Sequence, residues 1–377
     1  MEDMRSIGIG LLVVALFANS AAAQTPRPAS DAQAISRGWT ALAAGRVNEA
    51  VSAADGVLQK QPRSHAAFTL KIEALSTGAQ PIAALDAYEA WLPKTGRNVD
   101  DRGLLQPVAA GLLRVLSTDA DQSARATALR RLAENGDESA LDALRKQSAG
   151  GDQRSSIALA DQGDAGAITV LQALAGSGSG RDVSAAIDSL AAHGGIPPSL
   201  LDTLLKDRVP MNRAAAVRAL GRSSDPRSTQ QLEALSQDQD GLVRATATLA
   251  RAKKGDRQAL AAARVMLASE VPDIRLFAAE ALQSSLPVEA EQAARPLLTN
   301  RDGLYRFRAA AIVGHTDPSA VQGIFIEGLG DPNPLVRQEA ARIATEALPD
   351  DIALLRQLLR HADHIIVANA AGTILSH

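Results

Sequence analysis

From Ser123 to the end of the chain, apolar residues fall in short blocks at helical spacing, each followed by a polar turn and a second block. Leu242 to Ala252, the turn Lys254-Gly255-Asp256 and then Arg257 to Ala268 make one such unit, which reads as helix, turn, helix. The units recur at a fixed interval. Arg213, Arg244, Arg275, Arg306 and Arg337 stand 31 residues apart, and each precedes by three an alanine: Ala216, Ala247, Ala278, Ala309 and Ala340. A period of this size predicts an all-α solenoid in which every unit buries its apolar face on its neighbours.

Register extends the array in both directions. Arg125, Arg154 and Ser184 precede Arg213, and Val367 follows Arg337, giving nine units, with Ile157 and Ile187 replacing the alanine in two of them. Pro210, Pro272 and Pro334 lie three residues before the arginine, a first-turn position where the missing N–H is harmless and the fixed φ starts a helix. Asp240 and Asp302 lie four before it, as N-cap residues. The last unit has a first helix, about His364 to Leu375, and no second one. Ile365, Ile366, Val367 and Ile374 are therefore expected to leave apolar faces open for a partner or a second copy of the chain.

The segment before the array divides by pattern. Residues 1–23 carry Arg5, an apolar run from Ile7 to Phe17 and small residues ending Ala21-Ala22-Ala23, the layout of a secretory signal peptide. Such a run is too short to span a bilayer, so no membrane span is expected after cleavage, and export to a bacterial periplasm or beyond follows. Residues 24–30 hold two prolines without apolar periodicity and read as a linker. Residues 31–95 read as helix-turn-helix twice over. Thr95-Gly96-Arg97-Asn98 breaks the pattern, and residues 96–121 hold a further helix, about Leu104 to Ser117, expected to cap the array of residues 122–377.

Two resemblances attach to these residues. Gly38, Gly45, Ala50 and Pro62, then Gly78, Ala84, Tyr88 and Trp91, resemble the small-residue, turn and aromatic positions of a pair of tetratricopeptide repeats. The run from Leu242, Leu-Val-Arg-Ala-Thr-Ala-Thr-Leu-Ala, and that from Leu335, Leu-Val-Arg-Gln-Glu-Ala-Ala-Arg-Ile-Ala, are similar to HEAT-like repeats of the short class first noted in phycobilisome lyase subunits. The resemblance implies a right-handed superhelix of hairpins whose second helices line a concave side, and a scaffold role. A lyase-like enzyme or enzyme subunit acting on a small ligand is the alternative it implies.

Composition narrows the chemistry. Hydrophobic residues make up 46% of the chain but aromatics only 2%, so the core must be built from Ala, Leu, Val and Ile. Net charge is −3 and no Lys/Arg run forms the basic stripe that phosphate neutralisation requires, which argues against nucleic acid. Cysteine is absent, which removes disulfides, thiolate catalysis and a lipid-anchored cysteine together.

No residue set converges on catalysis, and no cofactor is implied. The histidines, His65, His193, His315, His361, His364 and His377, are dispersed, and His361 with His364 are too few ligands for a closed metal site. Gly176-Ser177-Gly178-Ser179-Gly180 lacks the preceding strand and the glycine spacing of a nucleotide loop and reads as a flexible insertion. The register arginines read as structural links between units. On the second helices, Arg145, Arg264, Arg295 and Arg356 are the candidate partner-binding residues, a broken basic stripe for an acidic protein or peptide. Phe307 and Phe325 are candidate exposed aromatic anchors, whereas Tyr305 aligns with Val243, Ile274 and Val336 and reads as core. The function these features predict is a non-catalytic scaffold of the bacterial cell envelope. Binding of wall polysaccharide is disfavoured by the scarcity of aromatics for stacking on sugar rings. The register makes a direct prediction: Ala247→Phe should overpack a helix contact and cost about 1–3 kcal/mol, read as a lowered thermal midpoint.

Overall fold

The computed structural model describes residues 28–96, 99–177 and 181–376; the signal segment, most of the linker and Gly178 to Gly180 lie outside the described residues. Every regular element among the described residues is helical. The chain packs as two compact units, Met1–Lys71 and Ile72–His377.

The first unit holds α1 (Pro28–Ala43), α2 (Val47–Leu58) and the opening turns of α3 (His65–Thr77). Gly45, with φ 73°, makes the left-handed turn between α1 and α2 that a side chain would strain. Ala50 and Ala54 are fully buried, and a Cβ at Gly38 would overlap the Leu70 side chain, so small residues here let helices approach closely.

The second unit begins with the closing turns of α3, followed by α4 (Pro81–Trp91) and α5 (Arg102–Leu116). Eight hairpins follow, α6 (Gln122–Glu134) with α7 (Glu138–Ala149), α8 (Gln153–Asp161) with α9 (Ala165–Ser177), α10 (Arg181–Ala192) with α11 (Pro198–Leu204), and α12 (Pro210–Arg222) with α13 (Arg227–Leu235). The chain continues with α14 (Gly241–Lys253) and α15 (Arg257–Leu267), α16 (Pro272–Leu282) and α17 (Pro287–Ala294), α18 (Gly303–Val313) and α19 (Pro318–Leu329), α20 (Pro334–Ala347) and α21 (Ile352–Leu358). A lone first helix, α22 (His364–Ser376), comes last. All nine register positions fall inside first helices. Asp240 caps α14 by accepting from Leu242 N (2.9 Å), and Asp302 caps α18 in the same way through Leu304 N (2.9 Å). Where valine holds the cap position, in α12 and α16, proline at the first helical residue replaces the missing side-chain acceptor.

Burial separates two layers. In α12 every residue from Asn212 to Val217 is buried, whereas α15 buries only Ala259, Ala263 and Leu267, a single face at a spacing of four. First helices pack directly on one another from α6 through α22, while successive second helices meet little. First helices are thus the inner layer and second helices the outer one. The expectation that second helices line a concave side is corrected on this point.

The array also closes on itself. Besides its neighbours α20 and α21, α22 packs on α5 and on α6, so the nine first helices form a complete circuit. The register gives α22 no second helix of its own, and α5 supplies one from the other end of the array. Residues Ile366 to Ile374 are consequently buried without interruption. The expected open apolar face for self-association through the C-terminal helix is therefore already covered within the chain, because α5 does more than cap: it completes the ninth hairpin. Gly372 permits the approach, since a Cβ there would collide with the Arg131 side chain of α6.

Glycine serves the same purpose between α18, α19 and α20. A Cβ at Gly328 would lie 2.6 Å from the Phe307 ring and 2.6 Å from Ala340 Cβ. Gly328→Ala is expected to lower stability by about 1–3 kcal/mol, measured as a shift in the denaturant midpoint.

Candidate binding surfaces

The register arginine proves to be a turn clamp in six of seven units, Arg154 instead donating to Ser123 Oγ (2.7 Å). Its guanidinium donates to the backbone carbonyl six residues earlier: Arg213 to Asp207 (2.8 Å), Arg244 to Asp238 (2.7 Å), Arg275 to Ser269 (2.6 Å), Arg306 to Asn300 (2.7 Å), Arg337 to Asp331 (2.7 Å), and likewise Arg125 to Asp119. The residue that offers the carbonyl also turns its side chain onto the N–H two residues on. Asp207 accepts from Val209 N (2.7 Å), Asp238 from Asp240 N (2.8 Å), Asn300 from Asp302 N (2.9 Å) and Asp331 from Asn333 N (2.8 Å). His361 takes this role in the last unit, its Nδ1 2.9 Å from Asp363 N, and so belongs to a turn. A short polar residue six positions before each arginine was the signal in the sequence.

Arg213 reaches one unit further, bonding both carboxylate oxygens of Asp238 at 3.1 and 2.8 Å with both side chains nearly buried. The Arg213 guanidinium holds the Asp238 carboxyl below the usual carboxylate range.

The four arginines of the anticipated basic stripe all have carboxylate partners. Arg145 binds Asp142 (3.0 Å) and Asp164 (3.1 Å), Arg264 binds Glu289 through two contacts (2.9 and 2.8 Å), and Arg295 binds Glu291 (2.6 Å) and Asp317 (3.2 Å). Arg356 binds Asp100 (2.9 Å) and Glu89 (3.2 Å). Asp164, Glu289 and Asp317 belong to the next hairpin's second helix or its cap, and across the closure Asp100 and Glu89 take that place. These arginines therefore bridge neighbouring outer helices, with their charge largely answered before any partner arrives. They form no unpaired concave stripe.

The aromatic assignments are reversed. Phe307 (2% exposed) and Phe325 (0%) are core residues, not anchors on the surface. The space for the Phe307 ring exists because the facing residue is Gly328, which was the sequence signal. Tyr305 is the half-exposed aromatic of this unit, and its hydroxyl donates to Asp273 (2.9 Å). His364 Nδ1 lies 2.6 Å from Asp119 Oδ2, and among the described residues no three His, Cys, Asp or Glu side chains gather as metal ligands.

A different surface emerges at the opening turns of the first helices. Two residues before the register arginine stand Met211 (42% exposed), Leu242 (39%), Leu304 (51%) and Leu335 (71%). In the unit between Leu242 and Leu304 this position is Asp273, and Val271 and Ile274 beside it are exposed instead. Four of five consecutive units thus present an exposed aliphatic side chain at the same register position, and the fifth presents Val271 and Ile274 on either side of it, a pattern that burial-minded reading of the repeat overlooked because such residues look like core.

A family model described as HEAT repeats matches residues 198–250, which span α11 to α14. This stretch is similar to HEAT repeats. The clamp and alanine register extend the same hairpin well beyond the matched residues, so the second unit is an all-α solenoid of HEAT-like hairpins. No curated protein sequence matches the chain. The crystal structure of an engineered protein aligns at 18% identity over 82% of this chain and 96% of that one, with a TM-score of 0.28.

Because the clamp couples adjacent HEAT-like units, Arg213→Ala is expected to cost about 3 kcal/mol by stranding Asp238 in a nearly buried position. Asp238 has its pKa lowered in the folded protein, so its contribution is fully present above the unfolded carboxylate value and is lost as pH falls through the folded one. Denaturant midpoints taken from neutral pH down to about pH 3 should therefore fall more steeply for the unmodified chain than for Arg213→Ala.

Proposed function

We propose that the chain is a non-catalytic protein-interaction scaffold, exported to the bacterial cell envelope by residues 1–23, that holds a protein or peptide partner through an apolar contact. The row Met211, Leu242, Ile274, Leu304 and Leu335 carries this reading. Exposed aliphatic side chains that recur at the start of successive first helices go beyond singly scattered surface residues and point to an interaction site. Their recurrence in the opening turn of successive first helices, with Ile274 one residue out of register, gives a partner helix or extended segment a series of contacts. A HEAT-like array supports the reading because its surface is preformed, so little conformational entropy is lost on binding. The row replaces the arginine stripe and the two phenylalanines as the proposed partner-binding residues.

Affinity capture from an envelope extract tests this, with the unmodified protein beside Leu304→Asp/Leu335→Asp and a charge reversal to Glu at Arg145, Arg264 and Arg295. The aspartate variant should retain at least about tenfold less of the specific partner while keeping its helix content. The charge reversal should retain it. Equal capture by the unmodified and aspartate proteins would remove the aliphatic row as the site.

A further inference from the structure

From α6 to α22 consecutive hairpins are joined by the chain itself, for example through the turns 236–240 and 300–302. Neighbouring units at such a joint can hinge but cannot separate. The ninth hairpin, made of α22 and α5, lacks this covalent bridge, and its seam is where α22 meets α5 and α6 and where α21 meets α4. We propose that this seam is the gate of the circuit, the one place where the ring of first helices opens and recloses as a unit while the other joints stay folded.

The chemistry of the seam fits a latch. Its apolar part is the face of α22 that lies on α5 and α6. Around that face stands a set of polar pairs. Arg102 donates to the Pro349 carbonyl and pairs with Asp350 (3.2 Å). Arg356 bonds Asp100 and Glu89, and Arg360 bonds Glu89 (2.7 Å) and Asp86. Tyr88 fixes the first acceptor by donating to Asp100 Oδ1 (3.0 Å), and its oxygen accepts from Asp101 N (2.6 Å). His364 meets Asp119 at the far side, and Arg131 reaches Asn369 (3.3 Å).

Residues on α4, α5 and α6 and on the segments before α5 and α6 thus hold the turns and helices at the other end of the array. Because the partners at this joint come from distant parts of the sequence, their loss is not compensated by a tether that keeps them at high local concentration. Opening there exposes the apolar faces of α22 and α5 together, so the seam opens as a unit or not at all.

The absence of cysteine makes the test direct. Spin labels on cysteines introduced at Val115 of α5 and Ser376 of α22, both exposed, report the seam in the full-length chain. Labels at Val265 of α15 and Val288 of α17, also exposed, report an internal joint. Distance distributions by pulsed electron spin resonance are compared for the unmodified charges, for Arg356→Glu/Arg360→Glu, and for the milder Arg360→Glu alone. The gate predicts that charge reversal raises a long-distance seam population at least about tenfold while the internal pair keeps its distance. A seam distribution that stays as narrow as the internal one in both variants would overturn it. So would broadening of both pairs together in Arg360→Glu, since the seam would then have no independence from the array.

Discussion

Much of this molecule follows from one hydrogen bond repeated around the array, from a guanidinium to a backbone carbonyl six residues back. The carbonyl lies in the turn between hairpins, a place where backbone acceptors would otherwise depend on water. By binding it, the arginine fixes how the chain leaves one outer helix and enters the next inner one. The same turn made six times gives nearly the same step from unit to unit. A constant step is what allows the last first helix to arrive beside α5 and α6. Small residues act in concert with it: alanine at the register position and glycine at 328 and 372 set how near the inner helices come.

The sequence showed the repeat clearly because its signals are local. An arginine and an alanine three residues apart, a proline at the first helical position and an aspartate before it each act within one turn of chain. They place α12, α14, α16, α18 and α20 without knowledge of the rest. Closure is a different kind of property. It depends on small rotations summed over nine units, and nothing near His364 or Arg102 announces that they will meet. The hairpin pattern by itself leaves α22 an open end, because the helix that completes its hairpin lies at the other end of the array.

The candidate site was legible in part. Arg145, Arg264, Arg295 and Arg356 were recognised as equivalent surface positions, but a charge pattern counted along the chain omits the carboxylates brought up from the next hairpin. Each of these arginines meets at least one such group. Phe307 shows the complementary error. A bulky residue at a position held by smaller ones elsewhere suggests exposure, until the glycine opposite is taken into account. Sequence reading treats positions singly, whereas burial and neutralisation are properties of facing pairs.

A linear stack of repeats has two ends, and each terminal unit is held on one side only, so melting begins there. A closed one has none. With the seam closed and α5 completing the hairpin of α22, every unit in the circuit has two neighbours, and the smallest excursion that unfolds one hairpin must break two interfaces where a terminal hairpin would break one. Thermal behaviour should accordingly approach that of a compact globular domain, with a sharp transition in place of the gradual fraying characteristic of open arrays.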